Sequence, residues 1–324
     1  MRNFNFSPVI ARSELGLIRD GNEDSGFVSQ NLIAVADGMG GHAGGEVASK
    51  TAIKTLAALQ SLLAAPEVDL DSKEDLYLNM VHEMDGEIAA VSRANLELEG
   101  MGTTITALAI LNENVSLLHV GDSRCYRIRS GKIAQISTDH TLVQELLNQG
   151  RITHDEIADH PQRSMLTQAL MGNENIQPVL IEYPAIDGDI YLLCSDGLSG
   201  VLSDLEILNI VKQNPLEVAV GLLIDGAYKK GAPDNVTVIL AQISGSVEIA
   251  PSIGLADSIC DIVSTGSTLI SNGLKEVEVV TPSEAVMIQT PNLSVEKMAI
   301  LEELLFRIES VEKTRGKKYI MLNV

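Results

Sequence analysis

Residues 32–42 read LIAVADGMGGH, an apolar run that stops at an acidic, glycine-rich turn. A continuous apolar run of this length predicts a strand at Leu32–Ala36 that is buried on both faces. The pair Asp37-Gly38 then predicts a tight turn. A second apolar run, Ile190–Cys194, stops in the same way at Ser195-Asp196-Gly197. We therefore expect two buried strands, each delivering a carboxylate to a sheet edge where a cleft can form.

The elements around these strands predict an α+β protein. Residues with high β propensity favour further strands at Thr103–Leu111, Val115–Val120 and Val236–Ile243, with a hairpin turn between the first two. Helical periodicity is found at Gly45–Leu63, Leu76–Asn95, Leu142–Asn148 and Pro215–Lys229. Long helices followed by hairpin-linked strands favour sheets covered by helices over alternating βαβ units.

Composition indicates a large soluble protein. The chain has 324 residues, 45% of them hydrophobic, which suffices for one large domain with an appendage or for two domains. A net charge of -21 argues against nucleic acid as a partner, because phosphate binding requires a basic surface. No apolar stretch reaches about 18 uninterrupted residues, so we expect no membrane span. Cysteines without a CxxC pair fit a reducing cytoplasm.

Acidic residues at turns predict a metal site. These turns are Asn22-Glu23-Asp24, Asp37-Gly38, Gly121-Asp122-Ser123 with Ser195-Asp196-Gly197, and Asp234-Asn235. Carboxylates are hard oxygen donors, so several of them in one cleft indicate Mg2+ or Mn2+. Other Asp-Gly pairs, such as Asp85-Gly86, require nothing beyond an ordinary turn. Asp37 and Asp196 differ from these because a buried strand directly precedes each.

An ordered series of motifs resembles the bacterial branch of the metal-dependent protein phosphatases, the type 2C (PPM) family. The motifs are Arg19-Asp20-Gly21-Asn22-Glu23-Asp24, Asp37-Gly38-Met39-Gly40-Gly41-His42, Met101-Gly102-Thr103-Thr104, Gly121-Asp122-Ser123-Arg124, Ser195-Asp196-Gly197-Leu198 and Asp234-Asn235-Val236-Thr237. The resemblance runs from about residue 3 to residue 244. It implies an αββα sandwich of two central antiparallel sheets flanked by helices, with a catalytic domain at 1–244, a flap at about 139–172 and an extension at 245–324.

The resemblance also assigns metal ligands. It implies two Mn2+ or Mg2+ ions, with a weaker third ion as a further candidate. The implied ligands are Asp37 as the bridging carboxylate with the Gly38 carbonyl, Asp196 and Asp234 for the first ion, Asp24 for the second with Glu23 as a candidate through water, and Asp122 for the third. Each has a structural alternative, such as a turn cap for Asp234, a surface acid for Asp24 or a hairpin turn for Asp122.

Two further side chains are candidates for handling phosphate. Arg19 is the candidate phosphate clamp, because its planar fork can hold two phosphoryl oxygens and because the family's phosphate-binding arginine matches it; a surface salt bridge is the alternative. His42 is the candidate general acid for the departing serine or threonine oxygen, since imidazole titrates near neutral pH. His119 alternates with apolar residues in a strand, which predicts a packing role.

The predicted function is that of a cytoplasmic phosphoserine/phosphothreonine protein phosphatase acting in signalling. Paired cations would generate the nucleophile and stabilise an anionic transition state. The expected substrates are phosphoproteins of a cognate Ser/Thr kinase. The alternatives are a phosphoprotein-binding pseudophosphatase scaffold, against which the intact ligand set argues, and a partner-switch phosphatase with one small regulatory substrate.

The extension carries a separate prediction. A helix is expected at about 294–314, because Met298, Leu301, Leu305 and Ile308 are spaced at three- and four-residue steps. Packing of this stripe on its own domain is favoured over pairing with a partner helix or with a second copy.

Overall fold

The computed structural model describes residues 4–40, 44–63, 73–111, 113–157, 159–172 and 176–245, and, further on, 257–258, 273–279, 281, 297–298, 300–301, 303–305 and 307. The chain divides into two compact units, Met1–Ile259 and Cys260–Val324. In the second unit, the described residues from 297 to 307 are helical, within the helix predicted at about 294–314. The remainder of that predicted helix lies outside the described residues.

Two antiparallel sheets form the first unit. The first sheet contains, in spatial order, β1 (Phe4–Glu14), β11 (Val236–Gly245), β10 (Ile190–Cys194), β7 (Arg124–Arg129) and β8 (Lys132–Gln135). The second sheet contains β2 (Asp24–Val28), β3 (Leu32–Met39), β5 (Ile105–Leu111), β6 (Asn114–Val120) and β9 (Val179–Pro184), with the short β4 (Gly102–Thr103) paired to β3.

The described helices include five that cover the outer faces of the two sheets and two that lie in the segment at 139–172. They are α1 (Gly44–Leu63), α2 (Lys73–Ala94), α3 (Leu142–Asn148), α4 (His154–Ile157), α5 (Asp196–Ser199), α6 (Asp204–Gln213) and α7 (Leu216–Lys229), with a 3₁₀ turn at Leu96–Leu98. Apolar residues of α1 and α2 pack against the second sheet, and those of α5, α6 and α7 pack against the first. No helix within the described ranges combines the length and apolar character that a membrane crossing requires.

The central strands explain the apolar runs of the sequence. In β3, Leu32, Ala34 and Ala36 face the helical layer, whereas Ile33 and Val35 face the other sheet. The strand β10 is divided in the same way between the two faces of its own sheet. Because side chains alternate along a strand, a strand buried on both faces must be apolar at every position. The layers are therefore helix, sheet, sheet and helix, as predicted.

One predicted strand is interrupted. The prediction of Thr103–Leu111 as a single strand is corrected to β4 and β5, which are separated at Thr104. The Thr104 hydroxyl accepts the backbone N–H of Asp37 at 2.9 Å, and the Thr104 N–H donates to the Asp37 carbonyl at 2.9 Å. The interruption thus secures β3 at Asp37. The predicted tight turn at Asp37-Gly38 is wrong: β3 continues through both residues to Met39, because Gly38 and Met39 pair with β4.

The flap is anchored to the sandwich at both ends. Its first helix, α3, has the predicted bounds, and Thr141 caps it by accepting the Gln144 N–H. At the far end, Thr103 and Leu170 exchange backbone hydrogen bonds of 3.0 and 2.9 Å. The end of the flap therefore continues the sheet through β4.

Candidate metal centre

A cleft of about 1000 Å³ collects the predicted site residues from several segments of the chain. Its lining includes Arg19, Glu23, Asp37, Gly38, Asp122, Asp196 and Asp234. Asp24 is buried beside the cleft, paired with Asp37 across β2 and β3. His42 lies outside the described residues. The remaining predicted residues are therefore gathered in one place, although they are separated by more than two hundred positions in sequence.

Asp24 and Asp37 are directly opposite each other on neighbouring strands. Like charges in this arrangement repel each other, and little water reaches them. Burial raises the pKa of Asp24 to about 6, with Asp196 adding to the effect and hydrogen bonds from Thr237 and Ser195 opposing it. Burial also raises the pKa of Asp37 well above its usual range, as do Asp24 and Asp196. A divalent cation would stabilise the charged carboxylates against both their burial and their mutual repulsion.

Asp196 and Asp122 bring further negative charge to the same cleft. Asp196 is the first residue of α5 and is separated from the end of β10 only by Ser195, so the apolar run predicted its place near a strand end. Burial raises the pKa of Asp196, and Asp234 raises it further. Asp122 lies in the turn between β6 and β7, where burial, followed by Asp196, raises its pKa to about 7. The charge of one carboxylate thus raises the pKa of another, as expected of ligands for shared cations.

Two buried carboxylate oxygens lack a hydrogen-bond donor among the described residues and are suited to binding a metal ion. Within the described part of the chain, Asp24 Oδ1 and Asp196 Oδ1 have no hydrogen-bond partner. A buried anionic oxygen without a partner is costly, and a hard cation satisfies it. Among the described residues, no group of three or more His, Cys, Asp or Glu side chains is already arranged to hold an ion.

Arg19 forms an ion pair with Asp234, one of the predicted metal ligands. Its Nη2 donates to Asp234 Oδ2 at 2.6 Å, and the two side chains are 51% and 28% exposed. The hydrogen bond to Asp234 raises the pKa of Arg19, with Glu23 and Asp196 contributing. The guanidinium thus stands beside the acidic cluster, where an incoming phosphate would meet it.

Gly38 leaves space that any side chain would fill. A Cβ at this position would lie 2.1 Å from the Gly45 carbonyl oxygen and 2.7 Å from that of Glu23. Backbone atoms cannot give way as the tip of a side chain can, so glycine is required for this close approach. The same crowding places the Glu23 backbone against β3 at Gly38.

Two residues support the site in ways that the sequence did not predict. The Asn235 side chain accepts the Glu23 N–H at 2.8 Å and donates to the carbonyls of Leu15 and Gly21 at 2.8 and 3.0 Å. The Ser195 hydroxyl donates to Asp24 Oδ2 at 2.8 Å. Both stand next to predicted ligands in the quoted motifs, and that adjacency was the only available signal.

His119 is a packing residue, as predicted. Its side chain is buried, with Nδ1 2.9 Å from the Thr106 hydroxyl and Nε2 3.0 Å from the Thr138 carbonyl oxygen. Burial lowers its pKa to about 3, and His140 lowers it further.

Two family models match successive stretches of the chain. A model described as protein phosphatase 2C matches residues 22–217, and one described as ATP phosphoribosyltransferase matches residues 227–310. The second match begins in α7 and includes β11, which pairs with β1 and β10 at the centre of the first sheet. That portion therefore belongs to the sandwich.

Similar proteins were found in bacteria. A "Serine/threonine protein phosphatase PstP" of Mycobacterium tuberculosis (strain ATCC 25618 / H37Rv) is 46% identical over 233 residues, which cover 72% of this chain and 44% of the relative. The chain thus spans less than half the length of this relative. A "Serine/threonine phosphatase stp" of Listeria monocytogenes serotype 4b (strain F2365) is 34% identical over 241 residues, covering 71% of this chain and 94% of the relative.

A solved structure has the same architecture. It is the catalytic domain of the serine threonine protein phosphatase PstP in complex with two manganese ions, with a TM-score of 0.67 and 41% identity. The superposition covers 75% of this chain and 100% of the other.

Proposed function

The chain belongs to the protein phosphatase 2C family, and on that premise we propose that it hydrolyses phosphoserine and phosphothreonine in proteins at a binuclear Mn2+ or Mg2+ centre. The observation that carries this proposal is the gathering of buried, mutually repelling carboxylates around Arg19 in one cleft. The manganese ions in the similar PstP domain support the choice of cation.

We assign the metal ligands from two observations: the order of the motifs along the sequence and the position of each residue in the cleft. Asp37, which takes part in the electrostatic coupling with Asp24, Asp122, Asp196 and Asp234, is the proposed bridging ligand. The Gly38 carbonyl is proposed as a ligand beside Asp37. Asp196 and Asp234 would hold the first ion, Asp24 the second with Glu23 through water, and Asp122 a third. Bound cations would lower the pKa of a water molecule and neutralise phosphoryl oxygens.

The protein groups around the ions would orient the substrate. Arg19 would exchange its bond with Asp234 for a bidentate contact with the phosphate, because phosphate carries more charge and has matching geometry. His42 remains the proposed general acid for the leaving oxygen. Asn235 would hold the segments of Arg19 and Glu23 in place through its contacts with Gly21 and the Glu23 N–H.

The rest of the chain and the cellular substrates can be proposed on the same basis. We propose that residues 1–244 act as the catalytic domain and that residues 245–324 form an extension available for self-association or a partner. The substrates would be phosphoproteins of a cognate Ser/Thr kinase in the cytoplasm. Buried free thiols at Cys125 and Cys194 are compatible with a reducing compartment.

The proposal is tested by comparing the wild type with Asp37→Asn. Hydrolysis of a small aryl phosphate and of a phosphothreonine peptide is measured in Mn2+, in Mg2+ and in chelator. Turnover that requires metal and falls at least 100-fold in the variant is expected, because the bridging charge is lost. Asp225→Asn, the same change on an exposed aspartate of α7, is the control. No turnover by folded wild type with either metal would overturn the proposal and favour a phosphoprotein-binding scaffold.

A further inference from the structure

The residue before Arg19 is an exposed isoleucine that lines the acidic cleft. Ile18 is 70% exposed and borders the cleft. Its loop is held in place, because the Leu17 N–H donates to the Ala232 carbonyl at 2.9 Å and the Gly16 N–H donates to the Tyr228 hydroxyl at 3.1 Å. Ile18 is therefore presented to the cleft from an anchored backbone.

The flap contributes a second apolar wall. Leu166 and Met171 line the same cleft, and Met171 is 38% exposed. The backbone bonds between Leu170 and Thr103 fix the position of Met171, whose side chain passes over Gly102, where an added Cβ would lie 2.6 Å from the Met171 Cγ. Apolar groups from two separate segments thus border a site whose remaining lining is mostly polar and acidic.

The position of Ile18 determines what can reach it. Consecutive Cα atoms are about 3.8 Å apart, so a phosphate held by Arg19 brings the neighbouring residues of its own peptide past Ile18. An apolar side chain of that peptide would be removed from water where it meets Ile18 or Met171, and an isolated phosphate ion has no such side chain. The occupant that fits these walls is therefore part of the phosphopeptide.

We propose that Ile18 and Met171 form a subsite for an apolar side chain next to the phosphorylated residue, so that the preferred substrates carry leucine, isoleucine or methionine beside phosphothreonine or phosphoserine. This inference rests on the proposed phosphatase function and specifies its substrate class. Ile18 is a specificity-determining residue in this assignment, and Arg19 holds the phosphate.

The test uses the full chain with Mn2+ and three phosphothreonine peptides that differ only in the residues flanking the phosphothreonine: leucine, glycine or arginine. A hydrophobic pocket discriminates by roughly 10- to 200-fold, and open walls place the expectation at the lower end. We expect kcat/KM for the leucine peptide to exceed that for the glycine peptide about tenfold, mostly through KM. In Ile18→Ser this ratio should fall to about 2.

A matched control lies one residue away. Leu17 is 60% exposed in the same loop but is not part of the cleft lining, and Leu17→Ser keeps its backbone N–H. This variant should retain the wild-type ratio between peptides. An equal loss of selectivity in Leu17→Ser, equal wild-type rates on leucine and glycine peptides, or a preference for the arginine peptide would each overturn the inference. In all three cases hydrolysis of the glycine peptide would leave the proposed function intact, whereas no turnover of any peptide would overturn both.

Discussion

Asp24→Asn should stabilise the protein in chelator and destabilise it in Mn2+. Asp24 is 8% exposed, lies opposite Asp37, and has one carboxylate oxygen without a partner among the described residues. Asparagine has almost the same shape and no charge. Its carbonyl can keep the bond from Ser195, while its amide can donate to a neighbouring carboxylate. Without a cation, the substitution removes a repulsion and loses little else.

The magnitude follows from the raised pKa of Asp24, which is about 6 in the folded protein against an ordinary value of 3.8. Between these pH values the folded state holds a proton that the unfolded state has released, so the free energy of unfolding falls as pH rises through this window. The wild type is therefore penalised by roughly 1–2 kcal/mol at pH 5 and by about 3 kcal/mol at pH 8. Asparagine does not titrate and escapes this penalty.

Urea or thermal unfolding in EDTA measures the difference. In a unit of this size, each kcal/mol shifts the melting temperature by about 2–4 °C, so Asp24→Asn should melt roughly 6–12 °C higher at pH 8 and about half as much higher at pH 5. With excess Mn2+ the order should reverse, because ligand binding stabilises the wild type in proportion to RT ln(1 + [L]/Kd).

Two results would contradict this prediction for Asp24→Asn. A variant that is less stable than wild type in EDTA at pH 8 would show that the Asp24 charge is already compensated within the protein. A stability gain that does not change between pH 5 and pH 8 would show that the gain does not arise from the titration of Asp24. Asp225→Asn, an exposed change on α7, should behave as wild type in every condition.

Three substitutions probe the rest of the site. Arg19→Lys keeps the charge and loses the planar fork, so KM for phosphopeptides should rise roughly tenfold in steady-state assays, with a smaller effect on kcat. Gly38→Ala puts a carbon 2.1 Å from the Gly45 carbonyl oxygen, so calorimetry should show weaker Mn2+ binding and a lower melting temperature. Arg124→Met breaks bonds of 2.7 to 3.1 Å to the buried Asp139, so urea unfolding should show a loss of about 3–5 kcal/mol.

Each of these has a control. Arg12→Lys changes an arginine that is not part of the cleft lining and should leave KM unchanged; an unchanged KM in Arg19→Lys itself would mean that only its charge matters. Gly86→Ala adds a methyl group in open space on α2 and should not destabilise, whereas normal metal binding in Gly38→Ala would disprove the crowding argument. Adding Asp139→Asn to Arg124→Met should recover part of the lost stability; a loss below 1 kcal/mol in the single variant would contradict the role of the pair.

The sequence predicted the elements whose burial leaves a strong pattern. Strands β3 and β10 are covered on both faces, so each has a continuous apolar run, and the acidic residue after each run was correctly placed at the cleft. The tight turns predicted there were wrong, because Asp37 lies inside β3 and Asp196 begins α5. Helices α1 and α3 were predicted within one residue because their apolar faces repeat with helical periodicity.

Elements with weaker patterns were missed. β1 mixes buried and exposed residues irregularly over Phe4–Glu14, and a register shift between Phe6 and Val9 disrupts the alternation on which a strand prediction depends. α5 has four residues, too few to show any period. The bracing role of Asn235 depends on contacts with residues more than two hundred positions away, which sequence spacing alone does not reveal.

The bond between Arg19 and Asp234 links the two proposed halves of the chemistry. Both side chains are partly exposed, at 51% and 28%, and ion pairs of this kind contribute about 0–1 kcal/mol. A cation that takes Asp234 as a ligand therefore frees Arg19 at little cost, and the freed guanidinium faces the cleft in which phosphate would arrive. Metal binding and phosphate binding would then be coupled through this one exchangeable contact. Such coupling is reciprocal, so phosphate held by Arg19 would in turn leave Asp234 available to the metal. The pair keeps the acidic cleft partly neutralised without competing strongly with either ligand.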